Sequence, residues 1–279
     1  MAATYHAAMT LPAPHPDRTS LVTGASSGIG KEIARQLASR GLGVTLVARS
    51  EAKLRSLAEE LGSTYGIRAE FVVADLTDES ARAAIATELD SRGLVVNVLV
   101  NNAGFSTTGP VHRSDPEREL AMVRTDVEAV VHLCSLFVPG MTERRSGAVL
   151  NVASTAAFQP LPGQAGYGAC KAFVLSYSHA LRGELRSQGV TVTALCPGPV
   201  DTGFAAAAGL SEEEFAGSVP SFMLVSAKDV AAAGVAGMDA NKAVVIPGVG
   251  NKVTAAAGWL SPRSLLVPMV AKYHPALGR

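Results

Sequence analysis

From residue 20 onward, short β-branched apolar runs alternate with longer segments in which apolar residues recur at helical spacing. The order is "SLVTG", a helix over 28–40, "GVTLVA", a helix over 51–61, "EFVVAD", a helix over 78–91, and "VNVLVNNAG". A long helix over 116–142 follows, then "GAVLNVAS", a helix over 165–187, "GVTVTALCPG", a helix over 227–240 and "AVVIPG". Strands that are apolar on both faces and separated by helices predict a parallel sheet covered on each side. Seven strands emerge, with no repeat of 20 to 50 residues. The expected fold is therefore a doubly wound α/β domain, a type that binds ligands beyond the carboxyl ends of its strands. The expected organisation is a flexible N-terminal arm over 1–18, one α/β domain over 19–250 and a helical extension over 251–279.

Composition narrows the class of partner. Of 279 residues 48% are hydrophobic, enough for a large buried core, and 24 cations balance 24 carboxylates. Zero net charge gives no reason to expect nucleic acid or an anionic membrane as the main partner, so a small molecule is expected. Cys134, Cys170 and Cys196 are far apart in apolar stretches, which fits reduced core thiols in a cytoplasmic protein. The six histidines lack metal-ligand spacing, so no metal is expected. The first 18 residues lack the basic start and apolar run of a signal peptide and cluster prolines instead. No apolar run approaches the roughly 18 residues of a membrane span.

Chemistry enters at the first strand-to-helix turn, "TGASSGIG". Gly24, Gly28 and Gly30 permit a tight turn and close backbone approach, and the helix start offers free N–H groups to a pyrophosphate. A dinucleotide whose ribose 2′-hydroxyl is free usually meets an acid at the end of the second strand. Here the residues are "LVARS", where Arg49 suits a 2′-phosphate and favours NADP(H) over NAD. The alternative for Arg49 is a strand-end surface cation.

In "QAGYGACKAFV", Tyr167 and Lys171 stand four apart at a helix start, so both side chains can reach one ligand. Alone the spacing also fits an ordinary helix face. With "TGASSGIG", "AD" at 74–75, "NNAG" at 101–104, Ser154, "YGACK" at 167–171 and "PGPVDT" at 197–202, the chain resembles the short-chain dehydrogenase/reductase family from about residue 19 to 250. "LNVASTAAFQPLPGQAGYGACKAFV" and "VVIPG" look like its bacterial NADP-dependent branch, with long-chain 3-oxoacyl and related ketone reductases.

The resemblance implies an NADPH-dependent carbonyl reductase or alcohol dehydrogenase. Tyr167 would be the general acid and Ser154 would polarise the carbonyl. Lys171 would bind the nicotinamide ribose and favour the phenolate of Tyr167. Cofactor contacts would come from Gly24, Ser26, Ser27, Gly28, Ile29 and Gly30, then from Arg49, Asp75 and Leu76. Asn101, Asn102, Ala103 and Gly104 would line the adenosine side, and Pro197, Gly198, Val200 and Thr202 the nicotinamide side. Asp75 also reads as a helix cap, the two asparagines as turn formers and "PGP" as a plain strand exit. One departure concerns the proton relay: in "MVRTDVEAVVHL", Asp126 occupies the position where the family usually carries Asn. A non-catalytic NADP-binding or redox-sensing protein is the alternative that this departure allows.

Less informative positions remain. Phe204, Phe215, Phe222 and Met223 are candidates for an apolar substrate pocket, and His112 and Phe158 for its mouth, with packing or surface roles as the alternative. The tail from 251, with Trp259, reads as a packing or oligomer arm, the alternative being weak peripheral membrane contact. By resemblance, a homodimer or homotetramer is expected.

Overall fold

The computed structural model describes residues 11–200, 221–273 and 277. Its sheet is assembled from β1 (Arg18–Thr23), β2 (Val44–Ala48), β3 (Ala69–Val73), β4 (Val95–Asn101), β5 (Gly147–Val152), β6 (Val190–Leu195) and β7 (Val244–Val245). All seven pair in parallel, in the order β3-β2-β1-β4-β5-β6-β7. This is the doubly wound sheet that the alternation predicts. The helices in chain order are α1 (Gly28–Ala38), α2 (Glu51–Tyr65), α3 (Glu79–Ser91), α4 (Pro116–Val123), α5 (Ala129–Glu143), α6 (Ala165–Leu185), α7 (Ala227–Asp239), α8 (Val249–Leu260) and α9 (Arg263–Tyr273).

Because helices cover both faces of the sheet, the two largest apolar clusters among the described residues lie one on each face. One gathers Val22, Leu46 and Val100 with α1, α2 and α7; the other gathers Leu21, Leu99 and Val149 with α3 and α5. Burying each such Leu or Val fully contributes about 1.5–3 kcal/mol. Leu11 is tied to the body: its N–H donates to Asp239 Oδ1 at 3.0 Å, and its side chain packs on the first cluster.

The helix expected over 116–142 is interrupted. Between α4 and α5, residues Arg124–Glu128 form a π-helical turn in which the Ala129 N–H reaches back to Arg124 O. Such a turn inserts one residue into the helix and resets the direction of its side chains. Here it carries Asp126 inward, where Lys171 and the Phe105 N–H pin it.

The strand order reverses at β1, whose neighbours are β2 and β4. After β1 the chain turns to α1 on one face of the sheet and after β4 it goes on to α5 on the other, which leaves a crevice beyond the carboxyl ends of these strands, the usual ligand position in this architecture.

Candidate active site

The crevice floor follows from two glycines. Gly24 has φ +66°, and a Cβ there would lie 2.7 Å from Asn102 Nδ2 and 2.9 Å from Ala103 Cα. A Cβ on Gly30 would overlap Gly24 O and Asn102. Only hydrogen fits at either place, so the loops after β1 and β4 lie in van der Waals contact. Asn102 locks them together: its Nδ2 donates to Thr23 O at 2.9 Å, and its N–H donates to Thr23 Oγ1 at 2.9 Å. The Ala103 N–H also donates to Thr23 Oγ1, at 3.0 Å. Thr23 is thus a structural member of the site that sequence reasoning passed over, although it opens the quoted "TGASSGIG".

Ser27 caps α1 without a side-chain cap bond, and the first turn of α1 holds no acid. The helix N-terminus therefore presents N–H groups and the positive end of its dipole toward the crevice. Ser26 and Ile29 are half-buried in the same turn.

At the end of β2, Arg49 is exposed and makes no ion pair or side-chain hydrogen bond among the described residues. Past β3, Leu76 is buried and Asp75 is exposed, with Oδ1 accepting from Thr77 N at 2.9 Å and Thr77 Oγ1 at 2.8 Å. The cap of α3 is Asp78, which accepts from Ser80 N and Ala81 N. The helix-cap reading of Asp75 is corrected accordingly.

Asn101 is also corrected. It is buried and points into the core, where its Nδ2 donates to Asn151 Oδ1 at 2.8 Å and to Cys134 Sγ at 3.4 Å. The residue after it faces the crevice because successive strand side chains alternate. That alternation was the available signal.

Beyond β5, four polar groups converge. Ser154 follows the strand, and its hydroxyl accepts from the Ala156 N–H at 3.1 Å and hydrogen-bonds the Tyr167 side chain. Tyr167 and Lys171 rise from the first turns of α6, and Lys171 Nζ stands 5.6 Å from the Tyr167 ring centre. Lys171 donates to Val152 O at 3.2 Å and pairs with Asp126 Oδ2 at 2.9 Å. Asp126 Oδ1 accepts from the Phe105 N–H at 3.0 Å. A Cβ on Gly104 would lie 2.8 Å from Asp126 Oδ2, so this glycine admits the carboxylate. Asp126 and Lys171 are 1% and 5% exposed, so the ion pair is buried.

The electrostatics follow from that burial. Burial raises the Tyr167 phenol above its ordinary value and the Asp126 charge adds to the rise, while Lys171 and the Ser154 hydrogen bond oppose it. Burial works against the Lys171 ammonium, but Asp126 and Tyr167 hold its proton more tightly than usual. Burial also raises the Asp126 carboxyl, against Lys171 and the Phe105 N–H. At neutral pH the phenol is thus protonated beside a lasting cation.

The remaining wall is partly defined. Pro197 and Val200 are buried after β6, and Gly198 packs against the side chain of Asn251 on α8. Asn251 Nδ2 donates to Met223 O at 3.0 Å and Pro247 O at 2.9 Å, tying three segments together. Its position in an apolar tail gave no signal of this. Thr202, Phe204 and Phe215 lie outside the described residues. Phe222 is exposed and rests on Gly250, and Met223 is half-buried. His112 is exposed, whereas Phe158 packs with Val174 and Cys196. Burial pushes the Cys134 and Cys196 thiols up to about 12 and Cys170 up to about 11, so none is a nucleophile at neutral pH. Among the described residues no cluster of three or more metal-ligating side chains occurs, and no helix is long and apolar enough to cross a membrane.

A family model described as short chain dehydrogenase matches residues 18–213. The chain is 38% identical over 183 residues to a very-long-chain 3-oxoacyl-CoA reductase of Anas platyrhynchos, covering 64% of this chain and 58% of that protein. It spans little more than half the length of the curated relatives it matches. Among solved structures, a short-chain dehydrogenase from Sphingobium yanoikuyae in complex with NADPH is 31% identical with TM-score 0.77, covering 90% of this chain and 95% of that one. A bulky-bulky ketone specific alcohol dehydrogenase from Comamonas testosteroni is 27% identical with TM-score 0.73, covering 88% and 92%.

Proposed function

The chain belongs to the short-chain dehydrogenase family, and from that premise we propose that it is an NADPH-dependent carbonyl reductase acting on apolar ketones, with 3-oxoacyl thioesters among them. The observation that carries the reading is the buried Tyr167, its phenol hydrogen-bonded to Ser154 and its ring centre 5.6 Å from an ammonium that cannot readily lose its charge.

The crevice suits a dinucleotide. Side chains are excluded at Gly24 and Gly30, the start of α1 is free of acids, and Arg49 is exposed at the end of β2. The glycine turn with Ser26, Ser27, Gly28 and Ile29 would hold the pyrophosphate, Arg49 the 2′-phosphate, and Asp75 with Leu76 the adenine. Asn102, Ala103 and Gly104 would line the adenosine side, and Pro197, Gly198, Val200 and Thr202 the nicotinamide. When bound, NADPH supplies the hydride.

This chain's residues supply the proton and the orientation. Ser154 and Tyr167 both donate to the ketone oxygen, fixing the carbonyl and drawing charge onto that oxygen. Tyr167 then gives its proton to the oxygen, leaving a phenolate that Lys171 stabilises and solvent reprotonates. The raised phenol keeps this acid loaded at neutral pH.

The names of the relatives support a bulky, apolar substrate. The test is NADPH consumption with small diketones, bulky aryl ketones, steroids and long 3-oxoacyl thioesters. Turnover that rises with apolar bulk is expected. A protein that binds NADPH but turns over none of these would overturn the reading.

A further inference from the structure

We propose that the outer face of α8 and α9 docks on an anionic lipid bilayer. The buried side of α8 is the stripe Asn251, Ala255 and Gly258, packed toward the body with Gly258 against Gln159. The opposite side is equally apolar. At about 100° per residue, Val249, Val253 and Leu260 fall within about 40° of one another on that side, flanked by Trp259 and Lys252. Val249, Trp259 and Leu260 are 77%, 70% and 76% exposed. Leu265 and Met269 on α9 are exposed as well, while Leu266 turns inward. A helix apolar all round is normally covered on both sides, and contiguous apolar surface of this kind marks a contact.

Charge selects the occupant. Residues 249–273 carry Lys252, Arg263 and Lys272 and no Asp or Glu, although the whole chain is neutral. A second copy meeting this face in a two-fold interface would set three cations against three. An anionic bilayer instead rewards each cation by about fivefold in affinity. A tryptophan beside leucine and valine, with Lys252 at the margin, is the composition that settles at the boundary between headgroups and acyl chains, while the Arg263 guanidinium turns back to donate to Gly258 O and Phe158 O. α8 adjoins the turn Thr155–Phe158 that follows Ser154 through its buried side, and lipid binding on the outer face requires no catalytic step.

Trp259 is the only tryptophan, so it reports directly on this surface. The full chain is titrated with phosphatidylcholine vesicles containing phosphatidylglycerol at about three parts in ten and with phosphatidylcholine alone, following emission and co-sedimentation in low and high salt. The expected result is a blue shift and co-sedimentation with the anionic vesicles, weakened by salt and by omission of phosphatidylglycerol. Lys252→Gln should weaken binding by about fivefold. Leu260→Asp and Val253→Asp should each abolish it, with circular dichroism unchanged because both positions are exposed. Absence of binding, equal binding to both vesicles, or binding that survives the Asp variants would overturn the proposal. So would a lipid-free blue shift that accompanies dimerisation and vanishes in Leu260→Asp, since the face would then belong to a second copy.

Discussion

Replacing Asp126 by Asn restores the residue usual in this family and probes the buried charge set directly. Asp126 Oδ2 lies 2.9 Å from Lys171 Nζ, which lies 5.6 Å from the Tyr167 ring centre. The carboxylate is therefore within reach of the phenol through one intervening ammonium. Two charges about 8 Å apart interact by about 2 kcal/mol at an effective dielectric of about 20, which corresponds to about 1.5 pH units. The sign is fixed by which form the charge opposes. An anion at Asp126 disfavours a second anion on Tyr167 and so raises the phenol; Asn removes that opposition and leaves Lys171 free to favour phenolate.

Alcohol oxidation requires the phenolate as base, so its rate climbs with pH through the Tyr167 titration. In Asp126→Asn that limb should move to lower pH by about 1 to 1.5 pH units. The falling limb of ketone reduction, which requires the phenol, should move the same way. The assay is kcat/KM for one secondary alcohol with NADP⁺ and for its ketone with NADPH, measured from pH 6 to 11 on both proteins. An unchanged limb, or one displaced upward, would refute the electrostatic reasoning. Stability supplies the control. Asn has one acceptor oxygen where Asp offers two, so it cannot serve both the Phe105 N–H and Lys171, and unfolding should cost about 1–3 kcal/mol less.

Other outcomes follow from the same geometry. Tyr167→Phe should lower turnover by about 10²–10⁴-fold while NADPH affinity, measured by cofactor fluorescence, stays near normal. Arg49→Ala should weaken NADPH by about tenfold or more and leave NADH nearly unchanged, as titration of both cofactors would reveal; equal losses would mean that Arg49 does not meet the 2′-phosphate. Asn102→Ala removes the side-chain bond that joins the loops after β1 and β4. It should destabilise the fold by about 1–3 kcal/mol in urea unfolding and loosen the cofactor more than it raises the ketone KM.

The layers, the sheet and the chemical types at the site are legible in the local pattern of residues. Hydrophobic alternation is a local property, and strands inside a covered sheet are mostly apolar, so seven strands could be read one by one. The glycines at 24, 28 and 30 were legible for the same reason, because backbone conformation and close approach restrict the residue at that very position. Spacing on one helix placed Tyr167 beside Lys171 without any knowledge of the rest.

Relations between distant segments emerge only once the layers are packed. The pattern over 116–142 reads as one helix, because a π-helical turn has no signature in apolar spacing; only Lys171, 45 positions away, and the Phe105 N–H explain why Asp126 turns inward. Asn101 and Asn102 are identical in sequence, yet the pleat sends one into the core and the other to the crevice. Asn251 is one polar residue in an apolar tail, and its role appears only where Met223, Pro247 and Gly198 come to meet it. The outer face of α8 is the same case in reverse: periodicity marks apolar residues there, but only the packed body reveals which side it covers and which side it leaves to a partner. Contacts between distant segments depend on how the layers stack, and no local pattern encodes that stacking.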